Sequence, residues 1–289
     1  MFQMRKILFP VDFSDATASA AAYVAALTGR FQSELTMLHV VDSVPSFSAV
    51  ERGIGSTEEP DLTLRAPDLA RRIISDYRAE DFKHLDVKRT VVAGDPSQQI
   101  LSAANQSAAD LIMMPSHGLS VFRSFIIGSV TAKVLHDAVC PVWTGVHLEN
   151  APPLDAVRFD KVLCAVDLGP QSERALRWAA GFSNEYAAEL IVVHAVPEVR
   201  PYEYFDLPPV TGLEDYGRVK LRDLLRELGI TARMIVTRGE PEKAVSEIAR
   251  AEGVDQMVIA RGIIADGFGR LRTHAYAMIR SAPCPVVSV

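Results

Sequence analysis

The sequence predicts an α/β fold built twice: two tandem doubly wound domains, each a five-stranded parallel sheet flanked by about four helices. Three observations lead there. Landmarks in the first half of the 289 residues recur in the second half at nearly constant offsets. Short apolar runs alternate with amphipathic stretches in both halves. The apolar runs are also continuous rather than alternating, which is how strands covered on both faces read.

The duplication is visible residue by residue. Lys6-Ile7-Leu8-Phe9-Pro10-Val11-Asp12 and Lys161-Val162-Leu163-Cys164-Ala165-Val166-Asp167 are each a basic residue, an apolar run and a terminal aspartate, 155 residues apart. The same offset carries Leu38-His39-Val40-Val41 onto Val193-His194-Ala195-Val196. Gly94-Asp95-Pro96 matches Gly239-Glu240-Pro241, and Asp110 matches Asp255, at 145 residues. Cys140-Pro141-Val142 matches Cys284-Pro285-Val286 at 144. The drop of about ten residues places one longer loop in the first copy. Domains of residues 1–148 and 157–289 follow, joined by a linker at 149–156 that is polar and carries Pro152 and Pro153.

Taken in order, the first copy has strands at about 6–11, 34–41, 87–93, 110–114 and 141–146, with helices at about 14–29, 67–84, 96–109 and 129–137. Ser14 suits an N-cap and Gly29 a stop for the first helix. Helices at 171–186, 213–228, 241–252 and 271–281 are the second copy's counterparts. Residues 42–66, rich in Ser, Pro, Glu and Gly, read as a lid or a disordered loop. Residues 197–211 are their counterpart, and Tyr202, Tyr204 and Phe205 there read as packing over the sheet end.

Composition narrows the function. A net charge of −6 with no basic tract argues against nucleic-acid binding. No run of 18 or more apolar residues occurs, so no membrane span is expected. The chain begins directly in a strand-like run, without a signal peptide, and its three cysteines form no Cys-x-x-Cys pair. Those features lead us to expect a cytoplasmic protein with reduced thiols.

Chemistry concentrates between residues 110 and 142. An apolar run from Leu111 to Met114 leads through Pro115 into the loop Ser116-His117-Gly118, and Gly128-Ser129-Val130 stands where a helix begins. Free amides and a partial positive charge make a helix start a natural seat for phosphate. Asp12 lies at the carboxyl end of the first strand, where open α/β sheets place their ligands. Its carboxylate can accept from a ribose hydroxyl or an amino group.

These landmarks together resemble the universal stress protein family, in a tandem form covering nearly the whole chain. The resemblance rests on Pro10-Val11-Asp12, Leu38-His39-Val40-Val41, Gly94-Asp95-Pro96, the Gly118-x9-Gly128-Ser129 spacing and Cys140-Pro141-Val142. It implies an adenine nucleotide alpha hydrolase-like fold and a role in stress response or signalling. Nucleotide-binding members carry Gly-x2-Gly-x9-Gly-Ser or Thr and bind ATP, so the resemblance also implies ATP or another adenine nucleotide, with Mg²⁺, as cofactor. Asp12 and Val40 would then border adenine and ribose, with Pro10, Val11 and Met114 nearby. Gly118, Gly128, Ser129 and Val130 would hold the phosphates through their amides and the serine hydroxyl.

Pro115 replaces the motif's first glycine. It has no N–H and cannot take a left-handed turn. A lost hydrogen bond to a charged group costs about 1.5–3 kcal/mol, roughly ten- to a hundred-fold in affinity. In the second copy the Gly-Ser pair falls on Arg272-Thr273, so that domain is expected to be a structural partner, with Arg261, Arg270 or Arg272 as an alternative anion site. The family's last strands, 142–146 and 286–289 here, imply edge-to-edge pairing, either within the chain as a pseudo-dimer or in a homodimer.

Other candidates carry less. His117 sits in the loop with no recognisable nucleophile beside it and reads as structural or ligand-contacting, Arg123 reads equally as a phosphate contact or a solvated loop charge, and His39 and His194 read as strand-end histidines satisfied by backbone. The histidines show no ligand spacing for a metal. Gly53-Ile54-Gly55 and Gly267-Phe268-Gly269 lack the context of a phosphate loop. A nucleotide-responsive protein is therefore the first reading, at most a weak ATPase. A nucleotide-free scaffold, favoured by Pro115, is the second. An α-hydrolase-type enzyme is the third, since no substrate-activating motif follows the first strand.

Overall fold

Lys-Ile-Leu-Phe-Pro, residues 6–10, forms a first strand buried at every position after Lys6, and both neighbouring strands pair with it in parallel. That burial on both faces explains the unbroken apolar run. The computed structural model describes residues 2–41, 62–116, 127–145, 151–196, 212–261 and 270–289, with backbone only at 62–67 and 270–274. The chain divides into one unit of Gln3–Val157 and a second of Arg158–Val289 joined by Phe2.

The first unit runs β1 (Lys6–Pro10), α1 (Asp15–Phe31), β2 (Glu34–Val41), α2 (Leu62–Asp76), β3 (Val87–Ala93), α3 (Pro96–Ser107), β4 (Leu111–Pro115), α4 (Ser129–Asp137) and β5 (Val142–Gly145). Its sheet order is β3-β2-β1-β4-β5, all parallel. The second unit runs β6 (Lys161–Ala165), α5 (Ser172–Tyr186), β7 (Glu189–Val196), α6 (Leu213–Leu228), β8 (Arg233–Arg238), α7 (Pro241–Glu252), β9 (Gln256–Ile259), α8 (Arg270–Ser281) and β10 (Val286–Ser288). Its order, β10-β9-β6-β7-β8, repeats the pattern, so the predicted doubly wound α/β fold is observed. In each unit the strand order reverses beside the first strand, between β1 and β4 or between β6 and β9. Such a switch point leaves a crevice at the carboxyl ends of the two strands.

Several repeated landmarks prove structural. Asp110 accepts from the amides of Arg5 and Lys6 through Oδ2 (2.7 and 2.9 Å), and Lys6 Nζ reaches the Ser107 carbonyl (3.0 Å). Asp255 does the same for Asp160 and Lys161 (2.8 and 2.9 Å). Each aspartate thus latches the start of its unit's first strand. Gly94 and Gly239 both take φ 141°, a region that favours glycine, ahead of a proline-started helix.

Two helices, α1 and α2, differ most in their bounds from the sequence reading. α1 passes through Gly29 and ends at Phe31, because Gln32 takes the left-handed conformation and Ser33 N–H closes onto the Thr28 carbonyl (3.0 Å). α2 begins at Leu62 rather than 67 and stops at Asp76 rather than 84, since Arg78 turns left-handed (φ 47°). The long loop expected at 42–66 loses 62–66 to α2, and its remainder, like 197–211, lies outside the described residues. Among the described residues no helix is long and apolar enough to cross a membrane.

Candidate functional site

The crevice of the first unit begins where β1 ends. Val11 N–H continues the ladder to the Leu38 carbonyl (2.8 Å), and the Val11 carbonyl accepts from His39 Nδ1–H (2.7 Å). His39 is therefore the backbone-satisfied strand-end histidine its position suggested. Asp12 follows, half-buried, and its Oδ1 accepts three hydrogen bonds: Ser14 N–H (3.0 Å), Ser14 Oγ–H (2.6 Å) and Thr17 Oγ1–H (2.5 Å). Ser14 Oγ in turn accepts from the Thr17 amide (3.2 Å) and caps α1. Among the described residues Oδ2 makes no hydrogen bond. Asp12 is thus locked through one oxygen and left with the other for an incoming donor.

Phe13 makes that turn possible. Its φ of 62° is left-handed, uncommon for a residue with a bulky side chain. Its ring meets His39 (4.5 Å between centroids, planes tilted 38°) and the edge of Tyr77 (5.3 Å, 71°). The Tyr77 hydroxyl is buried without a hydrogen-bond partner among the described residues. Burial pushes its pKa up to about 12, and the Asp12 carboxylate adds to the rise.

The opposite wall is the passage from β4 to α4. Met114 and Pro115 are buried and belong to the strand, Pro115 standing opposite Gly145. The amides of Ile112 and Ser116 donate toward β5, to the carbonyls of Pro141 just before it (3.0 Å) and of Gly145 at its end (2.9 Å). Position 115 therefore faces the other way, toward β1, whose paired register with β4 ends at Leu8↔Ile112. A proline there forfeits no ladder bond, and the backbone needs no positive φ at that position.

Gly128 is the N-cap of α4 with φ −59° and no side-chain cap. Its N–H donates to the Ser116 carbonyl (2.8 Å) and its carbonyl accepts from Ala132 (2.8 Å). The expectation that the Gly128 amide holds phosphate therefore needs correcting: that donor is already engaged in closing the loop. The amides of Ser129, Val130 and Thr131 open the helix and have no partner among the described residues. Ser129 is exposed, Val130 half-buried. Thr131, which sequence reasoning missed, is buried and donates Oγ1–H to the Pro115 carbonyl (3.1 Å), tying helix to strand. Nothing local distinguishes it from any other helix threonine. Val40 lies half-buried in β2 beside His39. Gly118 falls outside the described residues, as do His117 and Arg123.

The second unit repeats the first wall and not the second. Leu168 has φ 61°, Asp167 Oδ1 accepts from Gly169 N–H (2.8 Å) and Ser172 Oγ–H (3.0 Å), and His194 Nδ1–H reaches the Val166 carbonyl (2.9 Å). Asp167, however, is exposed. α8 starts at Arg270, so Arg272 and Thr273 lie inside its first turn instead of at its threshold. Arg261 is half-buried, while the side chains of Arg270 and Arg272, and Gly53, Gly55, Tyr202, Tyr204, Phe205, Gly267 and Gly269, lie outside the described residues. Among the described residues no group of three His, Cys, Asp or Glu is placed to hold a metal ion.

A family model for the universal stress protein family matches residues 4–144 and again 158–289. The chain belongs to the universal stress protein family. Among similar family members, universal stress protein MJ0577 of Methanocaldococcus jannaschii is 29% identical over 152 residues, 48% of this chain and 92% of that protein. Universal stress protein Mb2028c of Mycobacterium bovis is 27% identical over 203 residues, 68% of this chain and 66% of its own length. A crystal structure of a universal stress protein from Archaeoglobus fulgidus shares the fold over 99% of this chain and 98% of its own, with a TM-score of 0.73 and 21% identity. In this universal stress protein, then, the two family modules each carry the Asp–Ser helix start, and the uncapped α4 threshold occurs in the first.

Proposed function

We propose that the first unit binds ATP or another adenine nucleotide in the crevice between β1 and β4, and that the protein acts in stress response or signalling through the bound state. The observation that supports this reading is the start of α4 without a side-chain cap, whose three opening amides have no partner among the described residues, at the switch point whose other wall holds the Asp12 oxygen that makes no hydrogen bond among those residues. In this reading Asp12 accepts from the nucleoside, and Pro10, Val11, Val40 and Met114 line its apolar flank. Pro115 shapes the strand end, and Gly118, Ser129 and Val130 meet the phosphates with Thr131 as an added amide. Mg²⁺ would accompany the phosphates as counter-ion. The residues bind and orient, and we assign no group to activate water, so turnover is slow at most.

Isothermal calorimetry with ATP tests this. Wild type binds, while Gly128→Arg, which copies Arg272 of the second unit, and Asp12→Asn each weaken binding by at least about tenfold. Binding untouched by both changes moves the site elsewhere. Pro115 favours the second reading, a nucleotide-free scaffold, because one amide of the motif is lost there; absence of binding at millimolar ATP supports it. Self-association through the last strands is a separate proposal, read out by sedimentation of the purified chain.

A further inference from the structure

We infer that Tyr77 is a positioning residue for the nucleotide site of the first unit: its ring holds Phe13 in the left-handed turn that presents Asp12 to the ligand. The inference rests on the nucleotide reading above and adds a residue to it from outside the motif stretches.

The reasoning begins with the strain at Phe13. A bulky side chain at φ 62° is retained where its surroundings over-determine it. Here the surroundings are two aromatic rings, His39 at 4.5 Å and Tyr77 at 5.3 Å. His39 is itself immobilised by its bond to the Val11 carbonyl, one residue before Asp12. Relaxation of Phe13 to negative φ would swing Ser14 away, and two of the three donors on Asp12 Oδ1 come from Ser14. The direction of the open Oδ2 therefore depends on what grips the Phe13 ring.

The second unit supplies an internal comparison. Leu168 adopts the same turn (φ 61°) with no ring to stack, and Gly217 of α6 brings the helix directly against the corresponding histidine. A Cβ at Gly217 would lie 2.9 Å from His194 Cδ2. There Asp167 is exposed and accepts two hydrogen bonds, against three on half-buried Asp12. The turn alone thus does not give the shielded, fully tied carboxylate; the aromatic clamp accompanies it. Among the described residues the hydroxyl of Tyr77 makes no hydrogen bond, whereas its ring meets Phe13, so the ring is the part of this residue that contributes.

The test is a double-mutant cycle read by ATP calorimetry on the full chain, with thermal melts of every variant. Tyr77→Leu weakens ATP roughly tenfold, the size of one misaligned charge-assisted hydrogen bond. Tyr77→Phe restores affinity to within about twofold. Asp12→Asn combined with Tyr77→Leu binds no more weakly than Asp12→Asn alone, because Tyr77 acts through Asp12. Phe13→Leu, which installs the second unit's own residue, behaves like Tyr77→Leu and carries the test if that variant unfolds. Additive losses in the cycle, or unchanged affinity in Tyr77→Leu, overturn the inference while leaving the nucleotide site standing. A wild type that binds no ATP overturns both.

Discussion

Replacing Thr131 by Val removes the hydroxyl that joins α4 to the end of β4 while preserving shape. Thr131 is 4% exposed and Pro115 is buried, so the Pro115 carbonyl loses this donor where water does not readily replace it. Stranding a buried acceptor costs about 1–3 kcal/mol. Taking about 2 kcal/mol, and about 2–4 °C per kcal/mol for a unit of this size, the first unit's melting midpoint falls by about 4–8 °C. Trp143, fully buried in β5, reports that unit's unfolding by fluorescence once Trp178 of the second unit has been replaced by Phe in the reference protein. A midpoint shift below about 1 °C would falsify the claim that this bond fixes the start of α4. The same variant also weakens ATP in calorimetry, because the three amides that open the helix move with the helix end.

Tyr77→Phe removes a buried hydroxyl that makes no hydrogen bond among the described residues, so the first unit gains up to about 1 kcal/mol in urea unfolding; a loss of that size would mean the hydroxyl has a partner. Ser14→Ala costs about 1 kcal/mol as a lost N-cap and also weakens ATP, since Asp12 loses one of its three donors; equal ATP affinity would separate the cap from the site. The Ser97 hydroxyl and then the Gln98 amide hold the Asp95 carboxyl below its ordinary range. With the folded value depressed, that contribution is complete above the unfolded carboxylate pKa of about 3.9 and is lost as pH falls through the folded value. Asp95→Asn, which caps without titrating, therefore loses less stability than wild type on acidification below about pH 4, as pH-dependent unfolding will read. Burial pushes the Cys164 and Cys284 thiols far up, so a thiol reagent at neutral pH labels half-buried Cys140 first and the other two upon unfolding; early labelling at Cys164 counts against the buried β6.

The strands and most helices were legible because their causes are local. A run such as Lys161-Val162-Leu163-Cys164 excludes water on both faces whatever surrounds it, and the periodicity of 213–228 marks one buried stripe on α6. The duplicated aspartates were legible too, though not their division of labour: Asp110 and Asp255 latch strands, whereas Asp12 and Asp167 organise helix starts. At the site, the anion-ready glycine-serine pair could be read from composition and spacing, but the engaged amide of Gly128 could not.

Chain chemistry alone was enough for the α/β class and the twofold repeat, since apolar periodicity, helix-start residues and repeat offsets are properties of neighbours along the chain. Packing set the rest. Gln32, Arg78, Phe13 and Leu168 adopt left-handed backbone that no residue type among them favours, and those choices end α1 and α2 and aim Asp12. The ring of Tyr77 on Phe13 and the hydroxyl of Thr131 on Pro115 join positions 64 and 16 residues apart, with the residues between them shared among several elements. Contacts of that kind exist only after the sheet has brought its strand ends together, which is why the layout of the crevice had to come from the folded chain.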